Sequence, residues 1–198
     1  LVYLYANNID EQYSYIKAAK DKGYDVLLMD GILDNHFIQT LEHKFTDVKF
    51  ARIDSDTIEK LIEKDEVIPS KLSEEETNKL KTLVEAIVDK TKFTVQTESL
   101  EQTAYPFSIT QNEFMRRMKE MAEMGGGGMA SFYGDMPEHY NLVVNVNHPI
   151  MSQILEEKDI DKQTQTLTQL KDLALLSQGL LKGEALDNFI SRSVEIIK

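Results

Sequence analysis

The sequence predicts an α+β protein: a small α/β subdomain over residues 1–70, then over residues 71–198 a mixed α+β domain ending in a helical hairpin. Three observations predict it. Strand and helix patterns alternate through residues 1–53, the signature of βαβ units with some parallel pairing. After Pro69 the pattern changes to longer helices interspersed with isolated strands. Residues 161–198 hold two leucine-rich amphipathic stretches separated by Gly183.

The elements follow in chain order. Leu1 to Tyr5 reads as a strand, and Asp10 to Lys22 as a helix closed by Gly23. Asp25 to Met29 is nearly all apolar, which predicts a buried strand of the parallel type. A second helix from Asp34 to His43 places Phe37, Ile38 and Leu41 on one face, and Val48 to Ile53 alternates as a third strand. Residues 55–72 hold a short helix and a charged stretch with Pro69, the expected boundary. Ser73-Glu74-Glu75-Glu76 is a capping box, in which serine and glutamate satisfy each other's backbone donors at a helix start. Leu80, Leu83, Val84, Ile87 and Val88 then recur at the spacing of one buried face. Strands are expected at Phe93 to Thr97, around Tyr105 to Ile109, and at Asn141 to Val146. Asn147-His148-Pro149 puts a capping side chain just ahead of a proline suited to a first helical turn. The hairpin is expected as a helix from Asp161 to Lys182, carrying Leu167, Leu170, Leu173, Ala174, Leu180 and Leu181. A last helix with Leu186, Phe189, Ile190, Val194 and Ile197 follows. Such a pair commonly completes its core against a neighbour or a symmetry mate.

Composition narrows the function classes. A chain of 198 residues with 41% hydrophobic and 28% charged residues is an ordinary globular composition. No apolar run approaches the length of a membrane span, so no membrane is expected as a partner. The net charge of -12 is shared evenly between residues 1–70 and the rest, with no basic stripe, which excludes nucleic acid as an expected partner. The absence of cysteine removes disulfides and thiolate metal sites and suits a reducing, cytoplasmic setting. Leu1 opens directly on a strand pattern, with neither a start methionine nor a signal peptide, which reads as an excised fragment.

Methionine is distributed unevenly. Six of the eight methionines fall between Met115 and Met136. At 100° per residue Phe114, Met115, Met118, Met121, Ala122 and Met124 share one half of a helix, and Arg116, Lys119, Glu120 and Glu123 fill the other. A flexible, polarizable stripe of this kind fits either a protein core or a surface that accepts apolar partners of many shapes. Gly125 to Gly128 follow it, and cannot pack, so a loose loop is expected there.

Tests for chemistry are mostly negative. Tyr24 to Gly31 resembles the phosphoacceptor strand of a receiver domain, with Asp30 at its carboxyl end. The first strand, however, ends in Ala6-Asn7-Asn8 rather than in the paired carboxylates that would hold magnesium. A receiver-like α/β phosphotransfer module using Asp30 is kept as the alternative reading. The glycine run follows a helix instead of leading into one, and no Gly-Lys-Ser/Thr accompanies it, so it is no phosphate cradle. His36, His43, His139 and His148 form no pair at metal spacing beyond the loose separation of His36 and His43, and no metal is assigned. No nucleophile elbow or paired base is present, so no catalytic residue is named.

Five strings in order resemble the carboxyl-terminal portion of the heat shock protein 90 chaperones, in their bacterial high-temperature protein G type. They are Gly23 to Met29; Asp34-Asn35-His36-Phe37; Phe107 to Thr110 leading into Glu113 to Met118; Asn145 to Ile150, similar to Asn-Pro-x-His-Pro-Leu; and the leucine-rich hairpin ending in Phe189 to Arg192. The resemblance implies that residues 1–70 are the last subdomain of the family's middle domain and that residues 71–198 are its dimerisation domain. It implies a client-binding role for Phe114, Met115, Met118, Met121 and Ala122, and for Asn35 and His36 as a second patch, where the histidine departs from the family's tryptophan. It also implies homodimerisation through the hairpin, carried by Leu167, Leu170, Leu173, Leu180, Leu186, Phe189, Ile190 and Val194. Non-native client proteins are the implied partners. ATP and magnesium belong to the family's amino-terminal domain, so this chain is expected to hold no cofactor and to be no enzyme by itself. The chain ends without the acidic Met-Glu-Glu-Val-Asp tail of cytosolic eukaryotic members, which points to a bacterial source.

Overall fold

The computed structural model describes residues 1–62, 68–123 and 138–197, with the side chains of Met121 and Glu123 outside that set. The described residues form an α+β fold of eight helices and two three-stranded sheets. The chain divides into two compact units, residues 1–65 with 110–139, and residues 66–109 with 140–198. It therefore leaves the first unit after residue 65, returns to it for 110–139, and ends in the second.

In the first unit β1 (Val2–Ala6) is the central strand, flanked by β2 (Leu27–Leu28) and β3 (Lys49–Arg52), both parallel to it. The connections run through α1 (Tyr13–Asp21) and α2 (Asp34–Lys44), and α3 (Ile58–Leu61) follows β3. Alternation along β1 sorts its side chains. Leu4 and Ala6 pack with Ala19, Ile53 and Ile58, whereas Tyr5 packs with Ile38 and Phe50. Gly23, at φ 81°, ends α1, with its own amide on the Lys20 carbonyl and that of Tyr24 on the Ala19 carbonyl. Two expectations are corrected here. The strand after Gly23 is parallel but not buried: Leu27 and Leu28 are 43% and 48% exposed, because β2 is a two-residue edge strand. Phe37 does not join the buried face of α2, where Ile38 and Leu41 pack while Phe37 remains exposed.

The second unit is built on β6 (Tyr140–Asn145), which lies between β4 (Phe93–Glu98) and β5 (Phe107–Thr110) and runs parallel to β4. Leu142 and Val144 of β6 meet Leu80 and Val84 of α4 (Glu74–Glu85), Met151 and Ile154 of α6 (Pro149–Glu156), and Leu167, Leu170 and Ala174 of α7 (Ile160–Ser177). The capping box forms as expected, with Ser73 Oγ accepting from the Glu76 amide and Glu76 Oε2 accepting from the Ser73 amide. The residue that caps α6 is His148: its Nδ1 accepts from the Ile150 amide, and Pro149 holds the first helical position. Burial holds the His148 imidazole below its ordinary pKa, which keeps that nitrogen available as an acceptor. Asn147 is a buried tie instead. Its Oδ1 accepts from the Lys71 amide at 2.8 Å and its Nδ2 donates to the Pro69 and Leu100 carbonyls at 3.1 Å. Helix α7 stops at Ser177, so Leu180 and Leu181 lie beyond it. Gly179 turns to φ 65°, its amide reaches the Leu176 carbonyl, and the Leu180 amide reaches that of Leu175. The last helix, α8 (Glu184–Ile197), completes the hairpin.

Candidate functional site

The methionine-bearing helix is α5 (Glu113–Glu123). It belongs to the first unit, and its polar face meets the rest of that unit. Arg116 is only 4% exposed. Its Nη2 donates to Glu113 Oε1 at 2.6 Å and to the Tyr5 hydroxyl at 2.7 Å, and its Nη1 donates to Glu120 Oε1 at 2.6 Å. Glu120 Oε2 accepts from Asn35 Nδ2 at 3.0 Å. Arg117 uses three donors: Nε to Glu113 Oε1 at 2.6 Å, Nη1 to Glu42 Oε2 at 2.7 Å, and Nη2 to the Phe50 carbonyl at 2.8 Å. The network continues through Arg52, whose guanidinium lies 3.5 Å from Glu120 and is forked on Asp54.

The electrostatics follow from burial. Desolvation, reinforced by Glu113, pushes the Tyr5 hydroxyl up to about 12. Burial pulls both guanidiniums down, but the carboxylates around them outweigh it, and Arg116 and Arg117 are held above their ordinary values. An ultraviolet titration should therefore show one tyrosine ionising near pH 12, absent from Tyr5→Phe. The sign of the linkage is set by proton uptake. Between about pH 10 and 12 the folded state holds a proton that the unfolded chain has lost, so stability falls as pH rises through that window.

The opposite side of α5 carries Phe114, Met115, Met118 and Ala122. Phe114 is 58% exposed and the other three are half-buried, and the apolar residues Phe114, Met115 and Met118 belong to none of the described core clusters. The buried Arg116 thus marks the inward side of α5, and the exposed Phe114 with the half-buried Met115, Met118 and Ala122 lies across the helix from its ion pairs.

The second unit carries another apolar surface, on the hairpin. Arg192 of α8 donates to Gln169 and to the buried Asp172 of α7, fixing the two helices together. Phe189 is turned into the unit, while Ile190 and Val194 on the same helix are 51% and 50% exposed.

The sequence model of the Hsp90 protein matches residues 2–197. The chain belongs to the Hsp90 family. Curated relatives include the chaperone protein HtpG of Bacteroides thetaiotaomicron, 37% identical over 265 residues, that of Bacteroides fragilis, 37% over 267, and that of Porphyromonas gingivalis, 36% over 264. Each alignment takes in the whole of this chain and 38% of the relative, so the chain spans rather more than a third of these bacterial Hsp90 proteins.

Against that family the expected residues divide clearly. Phe114, Met115, Met118 and Ala122 share one side of α5, Phe114 exposed and the other three half-buried. Met121 belongs to α5 but its side chain lies outside the described residues, as do Met124, Met129, Met136 and the glycine run. Asn35 is brought to the same helix by its bond to Glu120, and the neighbouring His36 is exposed. Of the hairpin positions, Leu167 and Leu170 lie in the second unit's own core and Leu180 packs beside them. Phe189 is buried, Leu186 is half-buried, and Leu173, Ile190 and Val194 are exposed, with Leu176, Ile196 and Ile197. Asp30, kept for the phosphotransfer alternative, is exposed, and no group of three His, Asp or Glu side chains among the described residues is placed to hold a metal. No described helix is long and apolar enough to cross a membrane. The ion network was missed. Its signal was the spacing Glu113-x-x-Arg116-Arg117-x-x-Glu120, in which opposite charges sit three and four residues apart.

Proposed function

We propose that this chain supplies the client-binding helix and the dimerising hairpin of an Hsp90-family chaperone. The single observation that carries the reading is the orientation of α5, whose charged face is sequestered by Tyr5, Glu42, Arg52 and Asn35 while Phe114, Met115, Met118 and Ala122 form a stripe on the other side. A helix turned this way keeps flexible apolar side chains where a non-native protein can reach them, and methionine adapts to many partner shapes. Asn35 and His36 extend the surface onto α2. The exposed face of the hairpin joins two copies about a two-fold axis, which lets two such stripes act on one client. Nucleotide binding, under this reading, belongs to the amino-terminal domain that the family carries. The working compartment under this reading is the cytoplasm.

Met118→Ala separates the reading from an ordinary core. A buried methionine would lose about 2–5 kcal/mol on truncation. On a client surface the same change should leave stability within about 1 kcal/mol and weaken binding of an unfolded protein. Denaturation and a binding titration on one preparation check both, and large destabilisation with unchanged binding would sink the proposal.

A further inference from the structure

An amphipathic helix left to itself covers its apolar face, yet α5 buries Arg116 and leaves Phe114 exposed, so something must hold it in that orientation. The geometry points to Arg117, seated on Glu42 and on the backbone of Phe50, as the positioning residue that turns the client stripe outward. This rests on the client-binding reading above. The seat is made by the open edge of β3. The amides of Lys49 and Ile53 donate inward to the Leu1 and Tyr5 carbonyls of the central strand, at 2.9 and 2.8 Å. Phe50, out of phase with both, turns its own N–H and C=O the other way. Glu42 Oε1 accepts that N–H at 2.7 Å and Arg117 Nη2 donates to that C=O at 2.8 Å, while Arg117 and Glu42 pair with each other at 2.7 Å. The pair thus stands in for a neighbouring strand at an edge that would otherwise have an unpaired donor and acceptor.

That seat fixes the helix in rotation as well as in place. Arg117 and the half-buried Glu113 and Glu120 lie on one side of α5, so only one azimuth satisfies the Phe50 edge and the Arg116 pairs together. In that azimuth Met118 and Ala122 face away. The fit is not saturated: Glu113 Oε2 and Arg116 Nε are buried with no hydrogen-bond partner among the described residues. Glu113 carries both arginines, so the Arg116 pairs and the Arg117 seat act together, and Arg117 is the one that ties the helix to the backbone of the sheet edge. A stripe held ready for the client spares the ordering cost that binding would otherwise bear.

The test compares the 198-residue chain with Arg117→Leu, with Glu42→Gln, which keeps an acceptor for the Phe50 amide, and with Arg117→Lys, which keeps the charge but loses the fork. Amide hydrogen exchange and affinity for a reduced, alkylated, permanently unfolded protein are both read. Arg117→Leu and Glu42→Gln should speed exchange of the α5 amides and weaken the client about tenfold, with Arg117→Lys in between and the β1 amides unchanged. Phe114→Ser is the control and should weaken the client without altering α5 exchange. If Arg117→Leu and Glu42→Gln leave both readouts as they were while Phe114→Ser weakens the client, the positioning role is overturned and client binding stands. If β1 and α5 amides open together, Arg117 is structural only and the inference fails. An unchanged affinity for Phe114→Ser overturns the client reading and this inference with it.

Discussion

Arg116→Ala should destabilise the first unit by about 3 kcal/mol, read from the exchange of the β1 and β3 amides or from urea denaturation. The figure comes from what the substitution leaves behind. Arg116 is buried, and its guanidinium satisfies Glu113, Glu120 and the Tyr5 hydroxyl at 2.6–2.7 Å. Removing one partner of a buried pair strands the others, which costs about 3–5 kcal/mol. The lower end applies because Glu113 keeps Arg117 and Glu120 keeps Asn35 and, at 3.5 Å, Arg52. Lys17–Asp21 on α1 provides the contrast, with both side chains largely exposed. Lys17→Ala should change stability by no more than about 0.5 kcal/mol. If Arg116→Ala proved equally silent, the inward orientation of the polar face would be wrong.

The second large effect is expected at Ile190→Glu, which should convert a dimer to a monomer and weaken association at least about a hundredfold. Ile190 and Val194 are exposed, and Leu186 and Ile197 continue the same side of α8 at spacings of four and three residues. Leu173 and Leu176 add exposed leucine from α7. A two-fold interface repeats every residue, so one substitution buries two unpaired carboxylates, each costing several kcal/mol. In the isolated unit the same glutamate stays in water and should cost little. Phe189→Ala is the counterpart: that ring is buried, so it should unfold the hairpin before it separates two copies. Sedimentation equilibrium over a dilution series with Ile190→Glu decides the matter, and a wild-type chain that is monomeric throughout would remove the dimerising role.

Local chemistry was legible. The Ser73–Glu76 capping box, the stop at Gly23 and the proline opening α6 are settled within a few residues of chain, so the sequence predicts them closely. Which of two neighbouring side chains caps is a tertiary matter: Asn147 and His148 can both cap, and the burial of Asn147 among the backbones of Pro69, Lys71 and Leu100 left the task to His148. Asp25 to Met29 has the composition of a buried strand, but only pairing order makes a strand central or peripheral, and β2 falls at the edge.

The sequence by itself determined the element order, the family, and the existence of an amphipathic helix rich in methionine followed by a hairpin rich in leucine. Periodicity reports that a helix has two unlike faces, and apolar transfer free energy then assigns the apolar face inward by default. Only the tertiary structure decided that α5 buries Arg116 and leaves Phe114 exposed. The partners that hold its charged face, Glu42 and Tyr5, lie 75 and 111 residues from the arginines they meet, beyond the reach of any local pattern. Likewise α7 is leucine-rich on several sides, and the fold alone turned Leu167 and Leu170 into the core and left Leu173 outside. Buried charge is stable only with specific distant partners, and those are supplied by packing rather than by neighbours in sequence.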